Sequence, residues 1–69
     1  MSTPPLWYED GDRVTPRNNV LPKYGLQGTE PRDLIGEVVG SREPAHNVIV
    51  CFPTGEILDF EPGDLEPAP

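Results

Sequence analysis

The stretch NVIVCFPTGEILDF, residues 47–60, indicates two antiparallel β-strands joined by a tight turn. Its first part, 47–52, is β-branched and apolar, a composition that is enriched in strands. The segment PTG, 53–55, has the turn chemistry of proline and glycine, and EILDF, 56–60, then resumes apolar residues. Because an isolated hairpin is only marginally stable in water, further strands are expected to complete a sheet.

Those further strands are predicted on both sides of the hairpin. DRVT (12–15) and LIGEVVG (34–40) precede it, and LEP (65–67) follows the turn EPGD (61–64). Ten prolines and seven glycines interrupt every window long enough for a stable helix. Gly36, inside the second predicted strand, indicates a bulge or a close approach of the backbone.

The connection from Pro16 to Asp33 is long, with 18 residues and no periodicity. Its apolar residues Leu21, Tyr24 and Leu26 could fold back over the sheet. The predicted elements follow the connection order of an SH3-like barrel. That order is short strand, long loop, strand, medium loop, strand, tight turn, strand, one-turn corner and short strand. The predicted fold is therefore all-β, a small SH3-like barrel of about five short strands with a long first loop and Pro-rich termini.

Sixty-nine residues predict one domain. We divide the chain into an N-terminal Pro/aromatic arm (1–9), the barrel (10–66) and a Pro-rich C-terminal end (67–69). With one cysteine and one histidine, neither an intrachain disulfide nor a zinc site is expected, and no cofactor is predicted. There is no leader-like N-terminus, and the longest apolar stretch, 48–52, is too short to span a bilayer, so the predicted location is cytoplasmic.

Charge is distributed unevenly along the chain. The net charge is −7, from twelve acids and five bases. Residues 1–12 carry three acids and no base, residues 13–42 carry five bases and three acids, and residues 43–69 carry six acids and no base. Because nucleic-acid binders need a Lys/Arg surface, direct binding to DNA or RNA is disfavoured. The acids could serve solubility alone, or could form an acidic surface that docks onto a basic protein or mimics nucleic acid.

Five short segments carry a family resemblance that spans roughly residues 11 to 68. They are GDRV (11–14), VLPKYGLQG (20–28), IGEVVG (35–40), NVIVCF (47–52) and GDLEPA (63–68). Together they resemble an uncharacterised group of small bacterial SH3-like proteins with a D-R-V, L-P-x-x-G-L, G-x-V-V, V-x-F and D-L-x-P pattern.

More distantly, the layout is similar to the variable subunit of ferredoxin–thioredoxin reductase and to the barrel of the nitrile hydratase β subunit. The resemblance implies the fold, and it implies a non-catalytic accessory of a larger partner. KOW-type modules open with similar strands, but this chain lacks their basic loops, which puts nucleic-acid contact in doubt.

Strand alternation assigns the two faces of the predicted sheet. The predicted inner set is Val14, Val38, Val48, Val50, Phe52, Leu58 and Phe60. An apolar patch then remains on the outer face, consisting of Ile35, Val39, Ile49, Cys51 and Ile57. Such a patch needs a cover. The cover is either this chain's own residues, from Leu6, Trp7 and Tyr8 or from Leu21, Tyr24 and Leu26, or a partner protein.

Candidates for catalysis are few. Cys51 lies in the middle of a strand, where a small buried hydrophobe is the favoured interpretation, and His46 lies in an exposed loop. Asp59, Glu61 and Asp64 surround a Pro-Gly turn and are interpreted as solvated turn acids, without calcium-loop spacing. No phosphate-binding glycine loop or nucleophile elbow occurs in the sequence. The sequence therefore predicts a protein that is not an enzyme.

Three functions remain open. The first is a non-catalytic accessory or adaptor that binds a larger protein or assembly through a barrel face and its termini. The second is an acidic inhibitor or nucleic-acid mimic that occupies the basic groove of a target. The third and least favoured is direct RNA binding through all five bases, Arg13, Arg17, Lys23, Arg32 and Arg42.

Overall fold

The computed structural model describes residues 8–69, which form one antiparallel sheet of five strands. The strands are β1 (Arg13–Pro16), β2 (Gly36–Arg42), β3 (Asn47–Cys51), β4 (Ile57–Phe60) and β5 (Leu65–Pro67). Their order in the sheet is β4-β3-β2-β1-β5. The all-β prediction is confirmed, and each predicted strand is found within two residues of its expected position.

Gly36 lies where two parts of the backbone approach closely. A Cβ atom at this position would overlap Cγ1 of Val50 and would lie 3.1 Å from the carbonyl oxygen of Cys51 and from Cδ1 of Phe52. Glycine is required here because atoms of residues 50–52 fill the space that a side chain would need.

The bulge in β2 lies further along the strand. Val38 pairs with Val50, but Gly40 pairs with Ile49, so Val39 is the extra residue between them. An extra residue bends a strand and increases its twist, which turns the outer side of β2 at this point.

The long connection contains regular structure that the sequence did not predict. It forms two 3₁₀ helices, Asn18–Tyr24 and Pro31–Leu34, and a third 3₁₀ helix, Pro62–Asp64, precedes β5. Leu26 and Leu34 are buried in the core. Short 3₁₀ helices let a proline-containing segment turn tightly while its apolar side chains face one way.

Nine buried apolar side chains form the core in the described part of the chain. They are Val14, Leu26, Leu34, Val38, Val48, Val50, Phe52, Phe60 and Leu65. Six of the seven residues predicted to face inward are buried, and the seventh, Leu58, is half-buried and packs against the cluster. The three additions, Leu26, Leu34 and Leu65, come from the long connection and from β5.

Candidate functional site: an apolar groove on the outer face of the sheet

Strand register brings four outward residues into one row across the sheet. Arg13 of β1 pairs with Glu37 of β2, Glu37 pairs with Cys51 of β3, and Cys51 pairs with Ile57 of β4. Their neighbours in sequence, such as Val14 and Val50, are buried. Because side chains alternate along a strand, this row lies on the face opposite the core.

A groove of about 440 Å³ opens on that face. Gly36 and the buried Phe52 lie in its wall, and the other apolar lining residues are Ile35, Val39, Cys51 and Pro53. Val39, the extra residue of the bulge, is 47% exposed, whereas Ile35 and Cys51 are half-buried. We call these four residues, together with the charged residues that flank them, the outer groove.

Three charged side chains flank the apolar surface: Arg13, Arg32 and Glu37. Arg13 forms no salt bridge with any residue between 8 and 69. Arg32 pairs with Glu30 at 2.9 Å, but its side chain is 82% exposed. An exposed ion pair of this kind contributes little stability, so both guanidinium groups can reorient toward a ligand.

The structure brings part of the predicted outer patch together. Ile35, Val39 and Cys51 line the outer groove. Ile57 pairs with Cys51 at the edge of the row and is 59% exposed. Ile49 is half-buried on the same face, where it pairs with Asp59.

The apolar residues that the sequence singled out in the long connection, Leu21, Tyr24 and Leu26, lie elsewhere. Leu26 is 6% exposed, and Leu21 and Tyr24 pack against the same core cluster. These three side chains therefore pack on the inner side of the sheet. They are not a cover for the outer patch, and the buried Leu26 presents no contact surface. The hydrophobic effect favours this inward position because the inner face has the larger apolar area to bury.

The N-terminal aromatic residues are only partly described. Leu6 and Trp7 lie outside residues 8–69. Tyr8 is half-buried and packs against the core cluster, and this burial is the main reason why its pKa is raised. Tyr8 thus behaves as a structural residue at the start of the described chain.

A second polar cluster joins the long connection to the turn before β5. Lys23 Nζ lies 2.7 Å from Glu61 Oε2 and 2.8 Å from Asp64 Oδ2. The Tyr24 hydroxyl donates a hydrogen bond of 2.7 Å to Asp64 and accepts one of 3.2 Å from the backbone N–H of Glu61. We call Lys23, Tyr24, Glu61 and Asp64 the latch cluster.

Electrostatic interactions in the latch cluster favour the charged forms of Lys23 and Asp64. The Lys23 ammonium group, followed by the Tyr24 hydroxyl, lowers the pKa of Asp64. Hydrogen bonds to Asp64 and Glu61 raise the pKa of Lys23. Burial raises the pKa of Tyr24. Asp64, with only 17% of its side chain exposed, is therefore a bound structural carboxylate and not the solvated turn acid that the sequence indicated.

Two other bases are also held by carboxylates. Arg17 pairs with Glu66 at 3.4 Å and donates a hydrogen bond to the carbonyl oxygen of Gly63, and Arg42 pairs with Asp59. Four of the five bases therefore have a carboxylate partner, which leaves Arg13 as the exception in the described chain.

The sequence did not single out all residues of this site. It predicted Ile35, Val39 and Cys51, but not Arg13 and Arg32 as neighbours of that patch. Alternation within DRVT could have placed Arg13 outward, because Val14 faces inward. Arg32 comes from the long connection, whose position no local pattern indicates.

Among residues 8–69, no three His, Cys, Asp or Glu side chains are grouped as metal ligands would be. His46 is exposed and pairs with Glu43 at 2.7 Å. Within the same residues, no helix has the length and apolar character needed to cross a bilayer.

The described residues thus define a small all-β domain with one five-stranded antiparallel sheet and a groove on its outer face. This chain is similar to protein YorP of Bacillus subtilis, whose structure was solved by NMR. The TM-score is 0.68 at 27% sequence identity, and the match covers 100% of this chain and 83% of that one. No protein-family model matches the sequence, and no curated protein matches it. The likeness supports a small all-β fold.

Proposed function

We propose that this chain is a non-catalytic accessory protein that docks onto a larger protein through the outer groove and the neighbouring Ile57. The observation that carries the proposal is the combination of this groove with two exposed large apolar side chains, Val39 and Ile57. Exposed apolar residues that adjoin a groove are typical of protein-binding surfaces.

The finer fold assignment belongs to the same proposal. We assign the sheet as an SH3-like barrel, because its strands follow each other in the order β4-β3-β2-β1-β5 and a 3₁₀ turn precedes β5. The long first connection and the tight turn between β3 and β4 agree with that connection order. In the group that the sequence resembles, the SH3-like barrel implies an accessory of a larger partner. The cytoplasmic location stays a prediction.

The pairing of charged groups supports a non-catalytic role. Asp59, Glu61 and Asp64, the acids around the Pro62-Gly63 turn, are held by Arg42 and Lys23. A catalytic carboxylate needs access to its substrate and a pKa matched to proton transfer. The pKa of Asp64 is lowered by its structural partners Lys23 and Tyr24.

The same pairing weakens the alternative of an acidic inhibitor or nucleic-acid mimic. Six of the twelve acids are engaged by bases or by His46. Direct RNA binding loses support as well, since four of the five bases are paired with carboxylates. Phosphate contacts would have to compete with those pairs.

Affinity purification of a tagged chain from its native source, followed by mass spectrometry, tests the proposal. We expect one larger protein to co-purify in stoichiometric amount with the wild type and to be lost with the Val39→Ser/Ile57→Ser variant. Val20→Ser, the same change on the long connection away from the groove, serves as the control and should retain the partner. Circular dichroism checks that both variants fold.

Salt dependence separates docking from mimicry once the partner is purified. An apolar contact with few charges should change its affinity by less than about threefold between about 0.05 and 0.3 M salt, whereas a nucleic-acid mimic should weaken steeply. A chain that purifies alone, or a partner that is retained by the Val39→Ser/Ile57→Ser variant, would refute docking through the outer groove.

A further inference from the structure

The chemistry of the outer groove specifies what kind of segment it can take. Resting on the docking role proposed above, we infer that the groove binds an extended segment of the partner that carries one carboxylate next to apolar side chains. The apolar side chains of the partner's segment contact Ile35, Val39 and Cys51, and its carboxylate lies between Arg13 and Arg32.

The apolar part of the inference follows from the lining. Ile35, Val39, Cys51 and Pro53 present side chains without strong hydrogen-bonding groups. Burying an aliphatic side chain of the partner against them is favourable in proportion to the area removed from water. Polar side chains would lose hydration there without finding a partner.

The carboxylate follows from the arginines. Arg13 has no ion-pair partner among residues 8–69, and Arg32 has only an exposed one. Guanidinium groups bind carboxylates through two parallel hydrogen bonds, so a pair of them beside an apolar surface favours an acidic residue next to hydrophobic ones. The other three bases are engaged by acids of this chain.

Glu37 limits the number of acids. It pairs in register with Arg13 on one side and with Cys51 on the other, so it stands in the middle of the outer row. A second carboxylate above it would be repelled. The occupant is therefore not a polyacidic run; it has one acid near the arginines and neutral residues elsewhere.

Charge disfavours this chain's own N-terminal segment as the occupant. Residues 1–7 contain no acidic side chain and so cannot supply the carboxylate. A second copy of the chain would bring a net charge of −7 against another −7, which opposes association at low salt.

Binding of short probe peptides to the full chain, followed by NMR of ¹⁵N-labelled protein, tests the inference. The probe is a blocked octapeptide, Gly-Ser-Leu-Val-Asp-Leu-Ser-Gly, with matched peptides that carry Asn or Lys in place of Asp. We expect the Asp peptide to shift the amide resonances of Glu37, Val39 and Cys51. The Asn peptide should bind about fivefold or more weakly, and the Lys peptide should not bind detectably.

Variants assign the effect to the arginines. Arg13→Gln/Arg32→Gln should abolish the preference for Asp over Asn, whereas Arg42→Gln, which removes an arginine outside the groove, should keep it. Both arginines of the double variant are exposed, so the fold is expected to persist and is checked in the same spectra.

Several results would overturn the inference: no shift with any peptide, shifts outside the outer groove, equal binding of the Lys peptide, or an unchanged Asp preference in the double variant. Tighter peptide binding after removal of residues 1–7 would show that the N-terminal segment occupies the groove. A dimer that is dissociated by Val39→Ser would show that a second copy of the chain occupies the groove. If the peptides fail but the purified partner still depends on Val39 and Ile57, the docking role stands and only this inference falls.

Discussion

At Gly36 the absence of a side chain leaves room for atoms of residues 50–52. The backbone carbonyl of Cys51 and the side chains of Val50 and Phe52 occupy the space that a Cβ atom would need. A Cβ atom on Gly40, in the same strand, would have only Ile49 Cδ1 nearby, at 3.8 Å. The two glycines therefore form a matched pair in which one is sterically required and the other is not.

Gly36→Ala is expected to lower the free energy of unfolding by about 1–3 kcal/mol, because the added methyl group overpacks the interior. Gly40→Ala should change the free energy of unfolding by less than about 1 kcal/mol. The added methyl group meets no clash, and alanine slightly restricts the conformations of the unfolded chain. Urea denaturation of both variants measures the difference. Equal effects would contradict the steric explanation.

Tyr24 contributes both a ring and a hydroxyl group to the structure. Its ring centroid lies 4.3 Å from that of Phe60, and its hydroxyl binds Asp64 and the backbone N–H of Glu61. The two contributions can be separated, because phenylalanine keeps the ring and removes the hydroxyl.

Tyr24→Phe is expected to cost about 1 kcal/mol of stability, the ordinary net value of a hydrogen bond. Tyr8→Phe is the control, since the Tyr8 hydroxyl forms no hydrogen bond with residues 8–69, and it should stay within about 0.5 kcal/mol of the wild type. Thermal and urea unfolding provide the comparison. If Tyr24→Phe leaves the free energy of unfolding unchanged, the latch cluster does not depend on the Tyr24 hydroxyl.

At the scale of elements, the long connection is held in place at two levels. Leu26 and Leu34 anchor it in the core, and the latch cluster ties its first 3₁₀ helix to the turn before β5. The backbone N–H of Arg17 also donates a 2.8 Å hydrogen bond to the carbonyl oxygen of Asp64. These contacts explain why a segment without sequence periodicity adopts one conformation.

The latch cluster predicts a dependence of stability on pH. The pKa of Asp64 is lower in the folded state than its ordinary value of 3.8, so the unfolded chain takes up the proton first as the pH falls. The stabilisation is therefore present above that value and is lost below it. Lys23 stays charged throughout this range, because its pKa is raised.

We expect the unfolding free energy of the wild type to fall between about pH 5 and pH 2, and Lys23→Met to show a shallower fall. Arg32→Met removes the same charge from an exposed pair and should keep the wild-type slope. Urea denaturation over this pH range measures the slopes. Parallel slopes for wild type and Lys23→Met would exclude the latch cluster as the source.

At the scale of the whole molecule, residues 8–69 form an apolar core among themselves. Its nine buried side chains all lie between Val14 and Leu65, and Tyr8 packs against them from the N-terminal side. The N-terminal residues that precede Tyr8 thus have two possible roles, an additional cover for the sheet or a contact for the partner.

Removal of residues 1–7 is expected to leave the urea midpoint nearly unchanged, because residues 8–69 form a core of nine buried apolar side chains among themselves. Trp7→Ala in the full chain should behave the same way, and the fluorescence of Trp7, the single tryptophan, reports on its surroundings. A large drop in the midpoint would instead show that Leu6 and Trp7 cover the sheet.

Much of the sheet could be predicted locally. Alternation alone places Val48, Val50 and Phe60 inward. The position of Gly36 in a strand predicts a bulge or a close approach, and the structure shows the close approach there and the bulge at Val39. Leu65 was missed because a three-residue strand is too short to show alternation. The inner and outer sides of β2 to β4 were assigned correctly, because a one-residue error would expose the whole apolar face to water.

The sequence by itself determined the all-β class, the positions of the strands and the face to which most of their side chains point. Only the tertiary structure decided that the long connection buries Leu26 and Leu34, that Lys23 meets Asp64, and that Arg13 and Arg32 flank the outer groove. The physical reason is the range of the interactions. Alternation is a property of a few consecutive residues, whereas these contacts join segments far apart in sequence and depend on how the remaining apolar surface is best buried.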